Sequence, residues 1–73
     1  MNNKDLGKKY GDMKVQMTSI KKTTANFDFQ DENEDIRVHL EVPVELLPKI
    51  EREVSLNDLL KMKPDITINK LNK

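Results

Sequence analysis

From Ile36 to Glu45 the chain alternates without a fault: Ile36, Val38, Leu40, Val42 and Val44 are apolar, and Arg37, His39, Glu41, Pro43 and Glu45 are not. A two-residue period sets all five aliphatic side chains on one face of an extended strand. The domain built around this run is therefore a small sheet with one apolar and one wetted face.

The segment before it reads the same way. In Thr23–Gln30, Ala25, Phe27 and Phe29 share one parity and Thr24, Asn26 and Asp28 the other. Asp31-Glu32-Asn33-Glu34 between the two runs is turn-compatible, which predicts a hairpin. Pairing residues whose numbers sum to 65 sets Phe29 against Ile36, Phe27 against Val38, and Asp28 against Arg37 as an opposite-charge pair. A slip of one residue would turn one strand's apolar set into water. Upstream, Met13–Ile20 is a further strand with Val15 and Met17 on one face. Residues 13–30 fit either one long strand or two strands with a bend near Ser19–Lys22, and two shorter strands match ordinary strand lengths.

Pro43 marks an edge position or the last paired residue of its strand. After it, a short helix over about Leu47–Val54 is expected, with Pro48 in its first turn and Leu46, Leu47, Ile50 and Val54 in one stripe. Ser55 then caps a second helix, accepting from the amide of Asp58, and Pro64 stops that helix. Asp65–Asn69 alternates around Ile66 and Ile68 and gives a last strand. The expected fold is α+β: a small antiparallel sheet in the order β-β-β-α-α-β, with two short helices packed on one face. Residues 1–12, which hold both glycines, are expected as a flexible N-terminal tail before a single domain over 13–73.

A chain of 73 residues makes one marginal domain; a domain near that size hides only roughly 60% of the surface its unfolded form exposes. With no cysteine there is no disulfide, and no His/Cys cluster offers a structural zinc. Stability has to come from the apolar core, from self-association, or from both. Residues 1–12 contain no apolar secretory region, and no run approaches the eighteen or so apolar residues of a membrane span. Lysine outnumbers arginine 11 to 2, a bias of AT-rich genomes such as those of low-GC bacteria and their phages. The expected setting is a bacterial cytoplasm, with no membrane partner.

Net charge is zero but segregated: residues 1–25 carry +4, 26–58 carry −7 and 59–73 carry +3. Asp31-Glu32-Asn33-Glu34-Asp35 resembles the start of a calcium loop, yet positions six and twelve are Ile36 and Val42 where glycine and glutamate are needed. It reads instead as a solvated hairpin tip. His39, the only histidine, falls on the polar face and reads as an ordinary exposed side chain. Glu51 and Glu53 read as solvated surface. Phosphate-cradling loops, CxxC, GxSxG and HExxH are absent, so neither an enzyme nor a cofactor or metal is expected.

The leading expectation is a small non-enzymatic protein-interaction module, phage- or mobile-element-like, and a homo-oligomer with a dimer favoured. It would dock a protein partner through a sheet edge and an acidic band of Asp28, Asp31, Glu32, Glu34, Asp35, Glu41 and Glu45. The alternative is a nucleic-acid-binding regulator using Lys8, Lys9, Lys14, Lys21 and Lys22 near Tyr10, although base readers normally add arginine or stacking aromatics. A virion or assembly component is a further alternative, with oligomerisation itself as the function.

Overall fold

The computed structural model describes residues 3–47 and 51–71. The chain is α+β: an antiparallel five-stranded sheet and two short helices. In chain order these are α1 (Asn3–Tyr10), β1 (Lys14–Lys21), β2 (Thr24–Asp31), β3 (Ile36–Pro43), a 3-10 turn (Val44–Leu46), β4 (Glu53–Ser55), α2 (Leu56–Lys61) and β5 (Asp65–Lys70). Across the sheet the strand order is β4-β1-β2-β3-β5.

The hairpin of β2 and β3 keeps the expected faces but not the expected register. Phe27 opposes Leu40, Phe29 opposes Val38, and Asp28 opposes His39 rather than Arg37. The shift is by two residues, so parity survives and every apolar side chain stays on one side. Its cause is the turn. Asp31 pairs with Ile36 and closes a four-residue loop, with Asp35 in the left-handed region at φ 60°. The Asp31 carboxylate accepts from the amides of Asn33 (2.9 Å) and Glu34 (3.4 Å), holding that wider turn.

Residues 13–30 are two strands. Lys21 pairs with Thr24 across a tight turn at Lys22-Thr23, with Lys22 at φ 54°. Within β1 the pairing passes from Met17↔Phe27 to Ser19↔Asn26, leaving Thr18 as an extra residue. This β-bulge flips parity. Before it the odd residues Val15 and Met17 face the core; after it Ile20 lies opposite Ala25, on the apolar side.

Two expectations are overturned. Within residues 1–12, expected as a flexible tail, the described part is ordered: Asn3–Tyr10 form α1, with Leu6 fully buried and Tyr10 buried. Leu6 and Tyr10 sit four apart, on one helical face. Both glycines belong to this contact. A Cβ on Gly7 would touch Leu60 Cδ1 at 3.4 Å; one on Gly11 would clash with the Gly7 carbonyl and reach the Asn57 side chain at 2.6 Å. The described residues of the first expected helix, 47 and 51–54, are not helical. Val44–Leu46 form the 3-10 turn, Leu47 is extended, and Glu53–Ser55 form β4 beside Lys14–Gln16. Pairing Val54 with Val15 buries both, which a helix there would forgo. Pro48 and Ile50 lie outside the described residues. The second helix is as expected: the Ser55 hydroxyl accepts from Asp58 N at 3.3 Å.

The core comprises Val15, Ala25, Phe27, Val38, Leu40 and Val42 from the sheet, with Val54, under Leu6, Tyr10, Leu56 and Leu59 from the helices. The connection β4-α2-β5 joins opposite edges of the sheet. Four antiparallel steps separate those edges, so β4 and β5 run in the same direction. Leu6→Ala should cost about 2–4 kcal/mol, a large share of what so small a domain has. Urea unfolding measures it; a loss below a few tenths would show α1 to be dispensable.

Candidate functional site on the open sheet face

The face of the sheet turned away from the helices carries the polar half of every alternating run. At its centre three strands converge. The bulge in β1 turns two consecutive hydroxyls, Thr18 and Ser19, to this face, where β2 supplies Asn26 and Asp28 and β3 supplies His39 and Glu41. His39 Nδ1 lies 2.8 Å from Asp28 Oδ1, and its Nε2 lies 3.0 Å from Glu41 Oε2. The Thr18 hydroxyl is 2.9 Å from Asp28 Oδ2, and Arg37 Nε is 4.0 Å from Asp28 Oδ1. Asn26, the one buried polar residue among those described, donates from Nδ2 to Ser19 Oγ at 3.2 Å.

Carboxylates accept hydrogen bonds, and here each imidazole nitrogen faces one. When His39 is protonated both nitrogens donate, so the two carboxylates favour the imidazolium form. Its pKa is raised, first by the hydrogen bond to Asp28 against the opposing effect of partial burial, then by Glu41. The Thr18 hydroxyl bonds to Asp28 rather than to the ring, and Thr67 lies opposite His39 across the β3–β5 ladder. The carboxylates sit on opposite ends of the ring and do not converge on one point. Among the described residues, no group of three or more His, Cys, Asp or Glu side chains is placed to hold a metal ion.

A second cluster ties α1 to the β2–β3 turn. The Tyr10 hydroxyl donates to Asp31 Oδ2 at 2.6 Å, and the ring packs on Phe29 at 5.2 Å between centroids. Lys9 pairs with Glu34 at 2.9 Å. Burial, then the bond to Asp31, pushes the Tyr10 phenol up, while the same bond holds the Asp31 carboxyl below its ordinary range. The hydrogen bond to Glu34 raises Lys9.

The expected acidic band is not one surface. Asp31, Glu32, Glu34 and Asp35 lie at one end of the sheet, Asp28 and Glu41 at the centre of the open face, and Glu45 in the 3-10 turn at the other end. Asp28, Asp31, Glu34 and Glu41 are also engaged within the chain. The lysines divide as well. Lys8 and Lys9 in the last turn of α1, with Lys14 opening β1, are at the hairpin end. Lys21 and Lys22 are at the opposite end, about 25 Å away along an eight-residue strand. Among the described residues, one open groove lies around Thr18, Asn26, His39 and Glu41 and another between β1 and residues 51–53.

The cluster around His39 was hidden in the sequence by the two-residue register shift and by the bulge. The signal for the bulge was Ile20, an apolar residue of the wrong parity. Searches with protein-family profiles, among curated proteins and among solved structures find no match to this chain. Among the described residues no helix is long and apolar enough to cross a membrane.

His39 binds its proton more tightly when folded, so this contribution is present below the unfolded value near 6.5 and is lost as pH rises through the raised folded value. With Glu41 half exposed, the loss is about 0.5–1 kcal/mol. NMR titration should place His39 above 6.5, and Glu41→Gln should bring it down; a wild-type value at or below 6.5 would rule out the clamp. Asp31 acts with the opposite sign: its contribution is present above the unfolded carboxylate value and lost as pH falls through the lowered one.

Proposed function

We propose that this chain is a small non-enzymatic protein-interaction module of a bacterial cytoplasm, and that its docking element is the outer edge of β5. The observation that carries this reading is the inequality of the two sheet edges. β4 offers three residues, whereas β5 offers six, Asp65–Lys70, paired on one side only among the described residues. An edge of that length presents a row of backbone donors and acceptors to any extended chain. Pro64 lies just before β5 and no proline lies within it, and its charges, Asp65 and Lys70, stand only at its ends.

Two further features support the reading. Both ring nitrogens of His39, the one imidazole, are engaged by carboxylates of the chain itself. The lysines are split between the two ends of the sheet, which gives a nucleic-acid backbone no continuous basic track.

A photo-reactive residue at position 67, on the exposed side of β5, should crosslink to a protein chain in a cognate lysate. The same residue at Gln30, in the central strand β2, serves as the control. Crosslinking at 67 no stronger than at 30 would remove the edge as the docking element.

A further inference from the structure

We infer that the chain seated on the β5 edge is a second copy of the same protein, joined about a two-fold axis with Thr67 opposite Thr67 of its partner. This rests on the reading of β5 as the docking edge and names its occupant.

The backbone fixes which groups are available. Leu71 N donates to Asp35 O at 3.0 Å, continuing the ladder in which Ile36 pairs with Lys70. In an antiparallel ladder hydrogen-bonded pairs alternate with non-hydrogen-bonded ones. The pairs 37↔69, 39↔67 and 41↔65 are therefore the bonded ones. The N–H and C=O groups of Thr67 and its odd-numbered neighbours turn inward to β3, and those of Ile66, Ile68 and Lys70 turn outward. Any added strand must bond through these even-numbered residues.

The side chains then select register and partner. With Thr67 on the axis, Ile66 of each copy bonds Ile68 of the other, and Lys70 N–H meets the carbonyl of Pro64. On the helix-side face the isoleucines, half-buried in the single chain, cover one another. On the open face Asp65 meets Asn69, a carboxylate against an amide, and the two threonines meet at the close spacing of a non-bonded pair. Moving the register by two one way would set the Lys70 ammonium against Ile66; by two the other way it would set Ile68 against Pro64, which has no N–H, and break the Asp65–Asn69 pair. Moving it by one would set the apolar face of one copy beside the polar face of the other. The strand thus complements itself best with Thr67 on the axis.

Thr67 is exposed but lies opposite His39, so a charge of each sign is placed there in turn and the fold of each variant is checked. Light scattering should show wild type approaching twice the 8.5 kDa chain mass. The titration should run from about 10 μM to about 1 mM, where a contact this small dissociates. Thr67→Lys alone and Thr67→Glu alone should each remain single chains at concentrations where wild type is paired, with unchanged circular dichroism. Mixed in equal amounts, they should pair again. Gln30→Lys should leave pairing unaffected. A wild type monomeric throughout, a Thr67→Lys variant still paired, or a mixture that stays apart would each overturn the inference. A monomeric wild type that still crosslinks to another protein at position 67 would sink the second copy and leave the docking edge standing.

Discussion

Everything in this domain depends on covering one face of a sheet with two very short helices. Eight residues in α1 and six in α2 have to do it, with no cysteine or metal cluster among the described residues to help. They succeed because each contributes two fully committed side chains, Leu6 and Tyr10 from one and Leu56 and Leu59 from the other. Gly11 lets the end of α1 lie against the start of α2, where Asn57 N donates to the Gly11 carbonyl at 3.1 Å. The Tyr10–Asp31 bond then fastens α1 to the far hairpin, so the lid is anchored at the same end where its own chain enters β1.

The opposite face is organised by one inserted residue. Without the bulge at Thr18, strict alternation would point Ser19 into the core and Ile20 into solvent. With it, Ile20 lies on the helix side of the sheet beyond the edge of the core, still 41% exposed, and two hydroxyls stand together on the wet side, where they satisfy Asp28 and Asn26. Packing below the sheet and polar order above it thus have a common origin. The central polar network is consumed by its own members: Asp28 alone serves Thr18, His39 and Arg37.

Much of the sheet could be read from the sequence, because parity is a local property. The faces of β2 and β3, the Ser55 cap, the stop at Pro64 and the last strand all followed from spacing. What could not be read were features set by turns that lack their usual residues. Lys22, Asp35 and Lys63 occupy positive φ where glycine or asparagine is the normal signal. Without that marker the hairpin register came out two residues short, and with it the partner of His39. α1 was missed for a different reason. Its only described apolar side chains are Leu6 and Tyr10, too few for a periodic signal among lysines and glycines, although their separation by four was there to see. β4 is three residues long, below what alternation can register, and its formation depends on Val54 finding Val15 across nearly forty positions of chain.

The two margins of the sheet point the same way along the chain and differ twofold in length. Stacking molecules side by side would bring the long margin of each against the short margin of the next, in parallel and over three residues. That geometry repeats without limit, and it is the arrangement from which filaments grow. The brevity of β4 leaves such growth almost no ladder to follow. Margins this unequal give side-by-side repetition a ladder only half as long as β5 itself could supply.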